Sequence, residues 1–169
     1  FVMTRIKGGR EAIFWQTART AKQARPAVSI PTARGSGVEE LEILVDTRER
    51  YAWKFDQQQA TTTPRALAAG DYAVGVDGDI AAAVERKSLP DLVATLTSGK
   101  MRYVLADLAA LPSAAVVVED RYSSIFKLDR VRPAVVADAL GECQARFPQV
   151  PIVFCETRAL AQEWTYRFL

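Results

Sequence analysis

Residues 70–91 read GDYAVGVDGDIAAAVERKSLPD, and this stretch decides the fold. The pair Asp77-Gly78 separates two apolar runs and is typical of a tight β-hairpin turn. The two runs are therefore expected to pair as antiparallel strands. Because the second strand runs back along the first, Glu85 should return to lie beside Asp71.

The charged end of the second strand has a spacing that separates its side chains. Glu85 and Lys87 are two residues apart, so on a regular strand they lie on one face and Arg86 lies on the other. An isolated Glu-Arg-Lys tripeptide is usually a solvated charged patch. Here it follows an apolar strand and faces Asp71, and charges at the end of a buried strand need a partner or an ion.

These residue types suit hydrolysis of a phosphodiester with a metal ion. The carboxylates of Asp71 and Glu85 can share a hard cation such as Mg²⁺, which prefers oxygen ligands. The cation activates a bound water and neutralises charge on the phosphate, and Lys87 can contact that water or a phosphate oxygen. The chain has no histidine, which excludes a histidine general base.

Composition and charge indicate one compact domain with a basic extension. The chain has 169 residues, of which 49% are hydrophobic, enough for a sizeable core. Residues 1–40 contain seven Lys or Arg and three Glu, whereas residues 41–169 contain fifteen and seventeen acidic residues. We predict that 1–40 form a hairpin and a basic arm, the tail of an upstream module, and that 41–169 form the catalytic domain. The arm is either a plain tether or a nucleic-acid contact.

No apolar run reaches the roughly 20 residues of a membrane span, and no signal-peptide pattern is visible. Cys143 and Cys155 are isolated in apolar surroundings and fit neither a disulfide framework nor a zinc site. We therefore expect no membrane partner and a reducing compartment. That compartment is the cytoplasm, with association to the nucleoid in a bacterium, or the nucleus in a eukaryote.

The remaining sequence alternates between strand and helix patterns, which predicts an α/β sandwich around a largely buried mixed sheet. The other predicted elements are strands at 1–7, 10–17, 41–45, 114–118 and 151–154, a short helix at 64–69, and helices at 88–98, 100–111, 133–147 and 158–169.

Three charged motifs follow one another in a specific order. They are Asp46-Thr47-Arg48-Glu49, Gly70-Asp71, and Glu85-Arg86-Lys87 followed by Asp91. Together with the apolar run ending in Glu119, they resemble the nuclease motifs of the XPF/Hef family of structure-specific DNA endonucleases, over about residues 42–168. The resemblance implies a restriction-endonuclease-like fold, a three-layer α/β/α sandwich with a central mixed sheet.

The resemblance also implies roles for the motif residues. It assigns metal binding to Asp46, Asp71 and Glu85, and assistance to the nucleophile to Lys87, with Mg²⁺ or Mn²⁺ as cofactor. The other motif residues, Glu49, Arg86 and Asp91, are expected to support the site. Since Arg86 points away from the metal ligands, we expect it to pair with Asp91 or Glu49.

The implied substrate is branched, flap or otherwise irregular DNA in repair or recombination, and the implied partner is DNA. A homodimer through the nuclease domain is compatible with the family. Basic side chains near the motifs are candidates for phosphate contacts, although each also fits a solvated surface charge. They are Arg48, Arg50, Lys100, Arg102 and Arg121.

Two alternatives stay open at this point. The chain could be a non-catalytic DNA-binding or scaffold member of the family, although every catalytic residue type is present. It could also be a nuclease of the same fold directed at mismatches or plain duplexes. Cleavage assays on a panel of flap, fork, mismatch and duplex DNA separate these.

Overall fold

The computed structural model describes residues 2–5, 11–14 and 40–169, with side chains from residue 40 onwards. Backbone contacts divide the chain into two compact units, Phe1–Pro31 and Thr32–Leu169. The assignment of residues 1–40 and 41–169 to separate modules stays a prediction.

The first unit contains two short strands, β1 (Val2–Arg5) and β2 (Glu11–Phe14). They pair antiparallel with Val2 opposite Phe14, which confirms that two strands pair here. The predicted turn at Gly8-Gly9 and the basic arm at 18–38 lie outside the described residues.

The second unit is built on a six-stranded mixed sheet. Its strands are β3 (Leu41–Asp46), β4 (Ala60–Arg65), β5 (Tyr72–Val76), β6 (Asp79–Lys87), β7 (Ser113–Val118) and β8 (Ile152–Phe154). They lie in the order β4-β3-β5-β6-β7-β8. The β3–β5 and β5–β6 pairs are antiparallel, and the β3–β4, β6–β7 and β7–β8 pairs are parallel.

The hairpin of β5 and β6 forms as the sequence predicts. Asp77 and Gly78 both have positive φ, 53° and 93°, as a two-residue turn that matches the twist of the strands requires. Tyr72 is paired with Val84, so the residues that flank this pair, Asp71 and Glu85, end on neighbouring strands.

The short helix predicted at 64–69 is wrong. Ala60–Arg65 instead form β4, an edge strand parallel to β3, in which Pro64 lies opposite Val45. Three successive threonines favour an extended backbone, and an edge strand tolerates a proline because one side of it needs no N–H donors. Pro64 is compatible with the start of a helix, but the pairing of its segment with β3 determines the structure.

Helices cover both faces of the sheet, which confirms the three-layer α/β/α sandwich. The helices are α1 (Leu89–Thr97), α2 (Met101–Ala109), α3 (Pro133–Arg146) and α4 (Arg158–Phe168), with a 3-10 helix at Tyr122–Lys127. On one face Leu44, Ala73 and Val116 join a core with the helices α1 to α3. On the other face Val45, Tyr72 and Val117 pack in a second core with α4.

The burial of β7 on both faces explains its unbroken apolar sequence. Val116, Val117 and Val118 are each fully buried, because successive side chains enter opposite cores. None of the helices in the described part of the chain is long and apolar enough to cross a membrane.

Candidate active site

The charged motifs converge at one end of three neighbouring strands. Asp46 ends β3, and Asp71 lies just before β5. Glu85 and Lys87 are among the last three residues of β6. The backbone N–H of Asp46 donates to the carbonyl of Asp71 at 2.8 Å, and the N–H of Asp71 donates to the carbonyl of Val84 at 2.9 Å. The sheet therefore brings together motifs that are far apart in sequence.

Gly70 makes this close approach possible. It has a φ of +80°, and a Cβ atom there would lie 3.1 Å from the Cβ of Ala83 and 3.3 Å from the carbonyl oxygen of Val84. A side chain would push the Asp71 backbone away from β6. The glycine in the Gly-Asp motif is thus explained by the space that its neighbouring strand leaves.

We expect Gly70→Ala to destabilise the protein by about 2–3 kcal/mol, since it adds a steric clash to the strain of a positive φ. Gly99→Ala is the matched control, because Gly99 also has a positive φ, +70°, but no atom lies within 4 Å of the added Cβ. The control should cost only about 1 kcal/mol. Urea unfolding of both variants measures the difference, and equal losses would contradict the role of the close approach.

A cleft of about 270 Å³ opens beside the converging motifs. Asp71 and Glu85 line it, together with Arg48 and one wall of α2. Asp71 accepts the Arg86 N–H through Oδ2 at 2.7 Å, and Glu85 accepts from Lys87 Nζ through Oε1. Asp71 Oδ1 and Glu85 Oε2 have no hydrogen-bond partner among residues 40–169, so each carboxylate keeps one oxygen for a ligand.

The carboxylates of Asp71 and Glu85 repel each other electrostatically. Burial and then the neighbouring charge of Glu85 raise the pKa of Asp71 to about 7, although the Arg86 N–H and the charge of Lys87 partly oppose this. A divalent cation between the two groups would relieve the repulsion and supply the missing partner. The donor set of Asp71 and Glu85 therefore fits a hard metal ion.

Asp46 is differently placed from the other two predicted metal ligands. Its side chain is only 1% exposed, and both of its oxygens are engaged. Oδ1 accepts from the backbone N and Nε of Arg48 at 2.7 and 2.9 Å, while Oδ2 accepts from Arg48 Nη2 at 2.7 Å and from the Leu67 N–H at 3.1 Å. The hydrogen bonds of Arg48, which outweigh burial, lower the pKa of Asp46 to about 2.

The metal-binding role predicted for Asp46, Asp71 and Glu85 together stays a prediction, because the structure gives only Asp71 and Glu85 an oxygen without a described partner. Within the side chains that the structure describes, no three His, Cys, Asp or Glu residues form a group able to hold a metal ion. Of these three, Asp71 and Glu85 line the cleft, whereas both oxygens of Asp46 accept hydrogen bonds from Arg48. The sequence motif gives residue types, whereas the direction of each carboxylate depends on its hydrogen bonds.

Arg86 lies on the opposite face of β6 from Glu85 and Lys87, as the spacing predicts. It makes a bidentate pair with Glu119 through Nε and Nη2, both at 2.9 Å, and a longer contact of 3.4 Å from Nη1 to Glu49. The expected pairing with Glu49 is confirmed and the alternative with Asp91 is wrong. The hydrogen bonds and charge of Glu119 outweigh burial and raise the pKa of Arg86.

Glu119 is the centre of a network that sequence reasoning missed. Besides Arg86, it accepts from Trp53 Nε1 at 2.6 Å and from Arg158 Nη1 at 3.2 Å. Burial alone would raise the pKa of Glu119, but the bonds from Arg86 and Trp53 hold it below its ordinary value. The available signal was the position of Glu119, which directly follows a buried strand paired with β6.

Asp91 has a structural role at the start of α1. Its carboxylate accepts from the Ser88 hydroxyl at 2.6 Å, and its N–H donates back to that hydroxyl at 3.2 Å. This reciprocal arrangement caps the helix that follows the Glu85-Arg86-Lys87 motif. Asp91 thus supports the site by fixing the chain beyond Lys87.

Of the five basic residues predicted to contact DNA, only Arg48 lines the cleft. Arg102 lies over the ring of Tyr103, with 4.9 Å between its guanidinium carbon and the ring centroid, and Arg121 pairs with Glu156. Arg50 and Lys100 are exposed. Their DNA contacts stay predictions.

One charged residue of the cleft lining was not among the predicted site residues. Asp107 of α2 lines the cleft with Val104 and Leu108, and it is exposed. The spacing of these three residues places them on one helical face, but no motif singled out that face.

Comparisons with known proteins show the family of this domain and structures of similar fold. The family model described as ERCC4 domain matches residues 45–168, which includes every charged motif. The chain belongs to the ERCC4-domain family. It therefore carries a domain of a nuclease family whose members generally use divalent metals. No curated protein matches the chain.

Solved structures share the fold of this ERCC4 domain. One is XPF from Aeropyrum pernix in complex with DNA, with 19% identity, a TM-score of 0.61, and coverage of 76% of this chain and 62% of that chain. Another structure of XPF from Aeropyrum pernix has 22% identity, a TM-score of 0.61, and coverage of 75% and 60%. The chain thus spans about three-fifths of the length of these XPF chains.

Proposed function

We propose that this ERCC4 domain is a Mg²⁺- or Mn²⁺-dependent DNA endonuclease. The observation that carries the proposal is the pair of cleft carboxylates, Asp71 and Glu85, each with one oxygen that has no partner among residues 40–169, beside the ammonium of Lys87. Membership of a nuclease family supports the same reaction class. The alternative scaffold function would not require this arrangement.

The residues have distinct roles in the proposed hydrolysis. Asp71 and Glu85 would hold the ion, which when bound supplies an activated water and neutralises charge on the phosphate. Lys87 would donate a charge-assisted hydrogen bond to a phosphate oxygen or to the attacking water. Its ammonium is held by Glu85 and its side chain is only 16% exposed, so it needs little reorientation.

The substrate that we propose is branched or flap DNA, in repair or recombination within the cytoplasm and nucleoid or the nucleus. One XPF structure of similar fold holds DNA, and Arg48 places a positive charge in the cleft. Cleavage of flap, fork, mismatch and plain duplex DNA with Mg²⁺ or Mn²⁺ tests this. Preference for the first two supports the proposal, preference for mismatches or duplexes changes the substrate, and binding without any cleavage favours a scaffold.

Lys87→Met is expected to lower cleavage by about 10²-fold, because it removes the charged donor while keeping the length of the side chain. Lys127→Met is the matched control and should stay within about twofold, since Lys127 ends the 3-10 helix and, unlike Lys87, has no ion pair with a cleft carboxylate among residues 40–169. Single-turnover cleavage rates measure both. Unchanged cleavage by Lys87→Met would remove Lys87 from the reaction.

A further inference from the structure

Arg48 combines a fixed guanidinium with an open edge. Its Nε and Nη2 donate to Asp46, and Nη2 also donates to the carbonyl of Leu67 at 2.8 Å. Its Nη1 has no partner among the residues from 40 onwards. The side chain is 73% exposed and lines the same cleft as Asp71 and Glu85.

We propose that Asp46 is a positioning residue and not a metal ligand: it holds Arg48 so that Nη1 can donate to a phosphate oxygen in the cleft. This inference rests on the proposed nuclease function. It differs from the role that the family resemblance implies for Asp46. The direct reason is that each oxygen of Asp46 accepts two hydrogen bonds, the side chain is only 1% exposed, and Asp46 is not among the residues that line the cleft.

Fixing Arg48 before DNA binds has a physical benefit. A free arginine side chain loses much rotamer freedom when it binds a phosphate, whereas the fork held by Asp46 has already lost it on folding. The planar guanidinium also leaves Nη1 with a defined direction. Asp46 therefore acts on DNA binding through Arg48.

Electrostatics give Arg48 a second reason to be at this position. The cleft contains the carboxylates of Asp71 and Glu85, which repel a phosphodiester. The guanidinium of Arg48 lines the same cleft and can attract a phosphate of the DNA backbone close to these carboxylates. Loss of its orientation should weaken DNA binding without weakening metal binding.

The experiment measures metal and DNA separately. Mn²⁺ binding is measured by calorimetry without DNA, and flap-DNA binding is measured by fluorescence anisotropy in Ca²⁺ in place of Mg²⁺ or Mn²⁺. The variants are Asp46→Asn, Arg48→Lys, the double variant, and Asp71→Asn as the metal-site control. Circular dichroism checks the folding of each.

We expect Asp46→Asn and Arg48→Lys each to weaken DNA binding by about 5- to 10-fold, and the double variant by no more than about 10-fold, because they break one unit. Mn²⁺ affinity should stay within about threefold in all of these and fall at least about tenfold in Asp71→Asn. Arg48→Lys keeps the positive charge and frees an oxygen of Asp46. Arg48→Lys therefore tests the positioning role even if Asp46→Asn does not fold. If Asp46 were a metal ligand, its release from Arg48 would raise the Mn²⁺ affinity by more than about threefold.

The failures are distinguishable. A loss of Mn²⁺ affinity in Asp46→Asn as large as in Asp71→Asn, a strong gain in Arg48→Lys, or additive losses of DNA binding would each overturn the positioning role and leave the nuclease proposal intact. If Asp71→Asn binds Mn²⁺ as well as the parent protein, the proposed metal site itself is wrong.

Discussion

Replacement of Asp71 by Asn is expected to lower DNA cleavage by about 10³-fold and to stabilise the metal-free protein at alkaline pH. Asparagine keeps an oxygen that can accept the Arg86 N–H, which Asp71 binds at 2.7 Å. It removes the negative charge that lies partly buried beside Glu85. The same charge that would hold the metal ion is thus a burden on the protein without metal.

The pH dependence of stability tests the second half of this prediction. The pKa of Asp71 is raised to about 7, above the value of about 3.9 expected in the unfolded chain. Its contribution to stability is therefore complete below about pH 4 and is lost as the pH rises through about 7. Urea unfolding from pH 5 to pH 8 without metal should show Asp71→Asn gaining on the parent protein across this range.

Asp138→Asn is the control for both measurements, because Asp138 is an exposed residue of α3 outside the cleft lining. Its cleavage rate should stay within about twofold of the parent rate, and its stability should follow the parent at every pH. A constant gap between Asp71→Asn and the parent from pH 5 to 8 would show that Asp71 does not titrate in this range. Retained cleavage would show that it is not part of the metal site.

Local chemistry made the central part of the fold predictable. The Asp77-Gly78 turn acts over a few residues and fixes the pairing of β5 with β6, which brings Asp71 next to Glu85. The alternation of side chains along β6 is equally local, and it places Arg86 and Lys87 on opposite faces. The capping of α1 by Ser88 is local in the same sense. The unbroken apolar run of β7 showed burial on both faces.

Long-range pairing set the parts that could not be predicted. Pro64 fitted the start of a helix, but its segment pairs with β3 at the edge of the sheet. The direction of the Asp46 carboxylate is fixed partly by the Leu67 N–H, 21 residues away. Glu119 meets Trp53 and Arg158 across separations of 66 and 39 residues, which no local pattern encodes.

The face of β6 opposite the cleft explains how the site is held. Arg86 uses its backbone N–H to bind Asp71 and its guanidinium to bind Glu119, so one residue connects the cleft with the network on the opposite face of β6. Trp53, whose Nε1 donates a hydrogen bond to Glu119, also stacks on Tyr72 with 4.5 Å between ring centroids. The network therefore ties β5, β6 and β7 together directly beneath the cleft.

We expect Glu119→Ala to destabilise the protein by about 3–5 kcal/mol, because it leaves the guanidinium of Arg86 and the indole N–H of Trp53 without their carboxylate in a largely buried site. The side chains of Arg86 and Glu119 are only 15% and 12% exposed, so water replaces the lost contacts poorly. Urea unfolding measures the loss. Glu42→Ala is the matched control, since Glu42 is an exposed acid that accepts one bond, from Thr63 at 2.6 Å, and should cost at most about 0.5 kcal/mol.

The double variant Arg86→Met/Glu119→Met separates the cost of an unpaired charge from the value of the pair. We expect it to be more stable than Glu119→Ala, because no guanidinium is left at residue 86 without a carboxylate, while Glu49 loses only a long contact and keeps the Tyr51 N–H as a donor. Its backbone N–H at residue 86 still reaches Asp71, so Mn²⁺ binding should persist. If the double variant is as unstable as Glu119→Ala, the loss reflects packing around Trp53. Recovery of stability would instead show that the main contribution of Glu119 is to neutralise Arg86 beneath the cleft.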